Sequence, residues 1–349
     1  MRRIVAIFLM MLFCGSMLSA VSLPKPERDP VPPTEAQILL IKEGVRFHDQ
    51  GDFEKAIANY QEALKINPDV VEALYELSFS QFAKGDYSES LATALKGAEY
   101  RSKLIDQLYL QIGNCLDSLG RTKEAIDVYK KAMKGSPSDS LLYFNLALAQ
   151  QNLAKTKDAE KSFERALVLN PNHPGSHRSL GGLYLKSDRK ISAMLAYLRF
   201  LVLEPRSSRA DQLLPTVEDL LGAGVTQTGE NQIVIPIAIG SGKNKLSGID
   251  DMGLSLSIAR GAVFIKKEGK ETPTGIQAIA QELSTFFAIM GESSGARNKS
   301  FVSTYYVPYF VELGKKNMVE PFCYFIFQNK KDADISQWLN SHSQEVQSF

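Results

Sequence analysis

A 34-residue pattern recurs five times between residues 37 and 207, and no other feature restricts the possible folds as tightly. Its clearest copy carries Leu40, Gly44, Phe47, Ala56, Tyr60, Ala63 and Pro68. The same columns return as Tyr109, Gly113, Leu116, Ala125, Tyr129, Ala132 and Pro137, then as Tyr143, Ala147, Ala159, Phe163, Ala166 and Pro171. A last copy reads His177, Gly181, Tyr184, Ala193, Tyr197, Phe200 and Pro205, and a fainter second copy holds Leu74, Leu77, Gly85, Tyr87 and Ala94. Self-similarity at such a period marks a helical repeat array. Within a copy, apolar residues recur at helical spacing on both sides of a turn signal, Gly51-Asp52 in the first. Asn67-Pro68 ends the second helix, because a residue before proline is driven out of helical backbone angles. Each copy therefore predicts two antiparallel helices, with small residues where the helices approach and rings filling the space beside them. A single pair cannot bury its apolar face, so the copies must stack.

The pattern resembles the tetratricopeptide repeat (TPR) family over residues 37–207, as repeats 37–70, 71–104, 106–139, 140–173 and 174–207. The resemblance implies a superhelix whose concave wall is lined by the first helix of each pair, through its fifth and ninth residues. Those positions hold Ile41 and Val45, Tyr75 and Phe79, Leu110 and Asn114, Phe144 and Leu148, and Arg178 and Gly182. A neighbouring position adds His48, Phe82, Asp117 and Gln151. Family members that grip a C-terminal carboxylate do so with clustered lysine, asparagine and arginine, and Asn114 stands here without such a cluster. The expected partner-binding groove (Ile41, Tyr75, Phe79, Phe82, Leu110, Asn114, Phe144, Leu148 and Arg178) instead suits an apolar or amphipathic peptide segment. Core packing, or filling of the groove by the chain's own C-terminal region, are the competing readings.

The ends of the chain differ from this array. Arg2 and Arg3 precede an apolar run, Ile4 to Phe13, and small residues follow near position 20; this is the pattern of a secretory signal peptide over 1–20, cleaved after Ala20. An exported, periplasmic or secreted protein is expected, with membrane attachment as the alternative if the segment stays uncleaved or Cys14 is lipidated. Five prolines in residues 21–34 forbid regular helix, and 21–36 reads as an extended linker without partners. Residues 208–224 read as a capping helix over the last repeat.

From Gln232 the period changes. Ile233, Ile235, Ile237 and Ile239 alternate as in a strand, with Pro236 favouring an edge. Residues 251–266 fit strand or helix, 274–290 and 300–313 fit helices (the latter broken near Pro308), 322–328 fits a strand or a buried helix, and 334–346 closes with a helix around Trp338. The expected fold is thus mainly α: a five-repeat TPR α-solenoid followed by a smaller mixed α/β (α+β) domain over 225–349 with its own core.

Signals for chemistry are sparse. Gly240-Ser-Gly-Lys243 lacks the spacing of a phosphate-binding loop, and Asp250 and Asp251 fit a helix start. His173 and His177 are separated by Pro174 and Gly175, and His177 occupies an aromatic column, so packing is expected there and no metal site or cofactor. Cys14, Cys115 and Cys323 make no disulfide framework. The net charge of +1 gives no basic footprint for nucleic acid. These readings predict a non-catalytic interaction scaffold for a protein or peptide. The alternative is a C-terminal enzyme or small-ligand domain, with a pocket near Asp250, Arg297 and Tyr305, for which the repeats recruit substrates.

Overall fold

The computed structural model describes residues 21–222, 226–229, 232–234, 259, 275–293, 300–330, 332–347 and 349. The chain divides into two compact units, Met1–Gly135 and Ser136–Phe349.

The first unit contains three helix pairs: α1 (Glu35–Asp49) with α2 (Phe53–Ile66), α3 (Val71–Lys84) with α4 (Tyr87–Gly97), and α5 (Ile105–Ser118) with α6 (Thr122–Gly135). Helix α1 starts where Thr34 and Gln37 cap each other reciprocally, and α2 starts where the Asp52 side chain accepts the Lys55 amide. Asn67 is extended (φ −146°, ψ 113°), so α2 ends just before Pro68 as the sequence requires. The small-residue columns decide how close the paired helices come. A methyl group on Gly44 would lie 2.5 Å from the Tyr60 ring, so the bare backbone is what admits that fully buried ring. Gly181 stands in the same relation to Tyr197.

The turn between paired helices needs a left-handed residue at one repeat position. Gly51, Gly85 and Gly120 fill it with φ of 77°, 96° and 75°. In the last two copies the same position is Ala154 (φ 56°) and Asp188 (φ 57°), which keep the backbone shape against steric preference.

One expectation for this unit fails. Residues 21–34 are not a free linker: they lie against repeats 2 and 3. The amides of Glu27 and Arg28 donate to the Glu99 carbonyl (2.9 and 3.0 Å), and the Arg101 amide donates back to the Arg28 carbonyl (2.7 Å). The prolines exclude helix but leave an extended backbone whose free amides and carbonyls can pair, and that pairing is what composition could not reveal.

The second unit holds two further pairs, α7 (Ser140–Asn152) with α8 (Thr156–Leu169) and α9 (Pro174–Lys186) with α10 (Lys190–Leu203), followed by α11 (Ser208–Gly222). Helix α11 buries its apolar face through Leu213, Leu214, Val217, Leu220 and Leu221. Beyond it come a short antiparallel hairpin, β1 (Thr226–Gly229) and β2 (Gln232–Val234), then α12 (Gly275–Ser293), α13 (Phe301–Tyr305), α14 (Val307–Lys315), α15 (Val319–Ile326), α16 (Ala333–Ser341) and α17 (Ser343–Val346).

The expected mixed α/β domain is therefore corrected. Apart from that hairpin the described residues beyond 222 are helical, and residues 322–326 lie in a buried helix, not a strand. An unbroken apolar run satisfies either form when buried on all sides, which is why its pattern alone left both open. Pro308 falls in the first turn of α14 and separates it from α13, as its missing amide allows. Ala259 is buried, and the rest of 251–266, together with 235–250, lies outside the described residues.

The separate C-terminal core is corrected as well. One continuous cluster joins Phe163, Tyr184 and Phe200 of the repeats to Phe286, Phe287, Phe310, Phe322 and Phe327 of the C-terminal helices. Each such ring contributes about 2 kcal/mol by its removal from water. Helix α10 shows the consequence: every residue from Ile191 to Leu198 is buried, with no polar face left. Among the described residues no helix is long and apolar enough to cross a membrane.

Candidate functional site

In the first unit the candidate groove positions on α1, α3 and α5 do not share one environment. Tyr75 and Phe79, one turn apart on α3, stack with ring centroids 6.2 Å apart, and His48 stacks on Phe79 at 4.9 Å. The His48 Nδ1 lies 2.7 Å from the Ser80 hydroxyl, which holds the imidazole in this row. Phe79 is 41% exposed, whereas Tyr75 and His48 are half-buried, His48 also packing edge-on against Phe53 at 5.2 Å. Beside these rings burial, and then the Asp49 carboxylate, raise the Glu76 carboxyl from its ordinary value.

The other positions are more occupied. Phe82 packs on Tyr87 of its own repeat at 5.1 Å, and Ile41 packs against the buried Ala56–Tyr60 and Ala63–Val70 clusters. Leu110 is half-buried. Asn114 uses its side-chain carbonyl to accept the Tyr129 hydroxyl at 2.9 Å, which ties that oxygen to the second helix of its own pair.

In the second unit Phe144 packs edge-on to His173 (4.6 Å) and against Phe163 (5.9 Å), and Leu148 leans on the same apolar cluster. Arg178 is exposed. The C-terminal helices share that cluster with repeats 4 and 5 and add polar and ring contacts to them. Tyr305 donates to the Leu167 carbonyl (3.3 Å), and Arg199 lies 4.0 Å over the Tyr309 ring.

His177 is the centre of that contact. Its Nε2 is 2.9 Å from the Pro171 carbonyl, which can only accept, so Nε2 carries the proton and Nδ1 accepts from the Tyr306 hydroxyl at 2.8 Å. Both rings are fully buried, and burial lowers the imidazole to a pKa of about 4. His177 therefore packs, as its aromatic column implies, but with a partner 129 residues away that no local pattern announces. The signal that was available is α10, whose lack of any polar face demands a further covering layer.

His173 caps α9 by accepting the Ser176 amide, so the two histidines serve separate structural ends. Among the described residues no three acidic, histidine or cysteine side chains are grouped to hold a metal. Cys115 and Cys323 are free and buried, and Cys14 lies outside the described residues. Of the pocket expected near Asp250, Arg297 and Tyr305, the first two also lie outside, and Tyr305 stacks on Phe301 at 4.6 Å. His342 closes a row of rings with Trp338 (4.1 Å) and Tyr324 (4.2 Å).

Family profiles for TPR repeats match residues 44–85, and profiles for the tetratricopeptide repeat match 106–139 and 141–173. Residues 44–85, 106–139 and 141–173 thus match tetratricopeptide repeats. The chain is 25% identical over 176 residues to heat shock protein STI1 of Saccharomyces cerevisiae, an alignment covering 48% of this chain and 28% of that protein. It is 23% identical over 184 residues to the protein O-mannosyl-transferase TMTC3 of Homo sapiens, covering 48% of this chain and 20% of the relative. The chain thus spans less than a third of the length of these relatives. A thermophilic TPR protein of Thermus thermophilus aligns with 53% of this chain and 99% of its own at 24% identity and a TM-score of 0.47.

Proposed function

We propose that this protein is an exported scaffold whose TPR array binds an apolar or amphipathic segment of a protein partner. The observation that carries the reading is the Tyr75–Phe79–His48 ladder: three aromatic faces in register on the first helices of repeats 1 and 2, with Phe79 exposed. Aligned rings on a rigid helix face offer apolar area at little cost in side-chain entropy, the property of anchor residues in helix-in-groove recognition. That the relatives include proteins named as Hsp70-Hsp90 organising proteins, in Plasmodium falciparum and Arabidopsis thaliana, supports a partner-binding role for the repeats.

Export is inferred from Arg2, Arg3, the apolar run to Phe13 and the small residues that follow. The partner would then be met outside the cytoplasm, and anchoring through Cys14 is separated from free export by fractionation with and without Cys14→Ser.

The test of the groove is capture of exported proteins by the wild type and by a Tyr75→Glu, Phe79→Glu double variant. Recovery of a specific partner by the wild type should fall to background in the variant, whose circular dichroism stays helical because Phe79 is exposed and Tyr75 half-buried. Equal recovery by a folded variant would falsify the ladder as the docking surface.

A further inference from the structure

The segment 21–34 is fastened at both ends of its run, and its first residue carries a contact that changes character if the chain is cut there. The Val21 backbone nitrogen lies 2.6 Å from Glu124 Oε2. Glu124, in the first turn of α6, is gripped from the other side by Arg121, whose Nε and Nη2 stand 2.8 and 2.9 Å from its two oxygens. A carboxylate has about four lone-pair sites, so the fork leaves room for a further donor on Oε2. Further along, the Pro24 carbonyl accepts the Tyr109 hydroxyl (3.4 Å), and Arg28 lies 4.5 Å over the buried Tyr100 ring between Asp69 (3.1 Å) and Glu99 (3.3 Å).

We propose that the bond between Ala20 and Val21 is a processing site, and that Glu124, oriented by Arg121, is the acceptor for the N-terminal ammonium that processing creates. This rests on the export reading above. Hydrolysis by an export-pathway peptidase consumes one water: the amide C–N bond breaks, Ala20 leaves with a carboxylate, and Val21 keeps the nitrogen. At pH 7 that amine is mostly protonated, since its ordinary pKa is about 7.7–8.0. An uncharged N–H donor to Glu124 is thereby replaced by a cation at the same place, and a charge-assisted bond is roughly twice as strong as a neutral one. Once the processed chain folds, the Arg28 clamp holds residues 21–34 on the repeats and keeps the new terminus beside its acceptor. The consequence is a strap whose start is held by an ion pair in the processed chain, where the uncut chain offers only a neutral bond.

The experiment has two arms. In the first, the whole chain is expressed in an exporting host and the exported form is sequenced from its N-terminus; Val21 is expected. A chain that stays in the cytoplasm with residues 1–20 attached overturns the export reading itself, whereas an exported chain beginning elsewhere overturns only the processing site. In the second, the processed wild type and a processed Glu124→Gln variant are acylated at the α-amine by an amine-reactive ester at pH 7, with melting curves as a control for folding. An exposed or half-exposed ion pair predicts about two- to fivefold slower labelling in the wild type. Equal rates in two equally folded proteins show that Glu124 does not receive the terminus.

Discussion

At the scale of single residues, the repeat explains side chains that look anomalous in isolation. Ala154 occupies the position where three other copies place a left-handed glycine, and it holds φ 56° because the turn between α7 and α8 requires it. A left-handed alanine is disfavoured by roughly 1–2 kcal/mol, partly offset by the unfolded-state freedom that glycine would add. Ala154→Gly should therefore raise stability by about 1 kcal/mol in urea unfolding; a decrease would mean that the alanine methyl makes a contact worth more than the strain. His177 carries a pH signature. Its folded pKa of about 4 lies below the unfolded value of 6.5, so the unfolded chain takes up protons first on acidification. The stability this histidine permits is complete above pH 6.5 and falls as pH drops toward 4, by on the order of 3 kcal/mol. Glu164 works against it: burial, reinforced by Glu160, raises that carboxyl from 4.5 to about 7, so its contribution to stability is complete below pH 4.5 and is lost as pH rises from there to 7. The raw profile sums the two, and comparison with His177→Asn isolates the imidazole. The wild type should lose stability relative to that variant between pH 6.5 and 4, and parallel profiles would contradict the buried neutral tautomer.

At the scale of elements, helix ends and turns follow from local chemistry, and element faces do not. Thr34, Asp52 and the Asn67-Pro68 stop are capping and backbone effects within a few residues, so the repeat helices could be placed from the sequence. The strap over 21–34 could not, because its bonds to Glu99, Arg101 and Glu124 span 71 residues or more. Arg28→Ala should make this segment several times more susceptible to limited proteolysis while the helices of repeats 2 and 3 keep their far-ultraviolet signal. Unchanged cleavage would show that backbone pairing with Glu99 and Arg101 suffices to hold it. Of the candidate groove, Tyr75 and Phe79 come from the TPR resemblance, and their spacing of four shows only that they share a face of α3. Asn114 could not be read as internally engaged, because its bond to Tyr129 depends on how α5 and α6 close on one another.

At the scale of the molecule, the second unit ties the end of the array to the C-terminal helices through one apolar cluster. Tyr306, Phe310 and Phe322 are fully buried in it, and each contributes about 2 kcal/mol of burial. Deleting residues 300–349 should strip the cover from α10, so amide exchange across 190–222 should accelerate by orders of magnitude, or the chain should aggregate through the exposed face. Unaltered protection of α10 would instead show that α11 alone caps the repeats.

By itself the sequence determined the helical period and the paired helices of the repeats. Both are set by periodicity, caps and backbone restrictions that act over a few residues. Only the tertiary structure decided that residues 21–34 are strapped down, that His177 bonds Tyr306, and that the last repeats share a core with helices more than a hundred residues later. Those contacts depend on complementarity between distant segments, which leaves no periodic trace in either one.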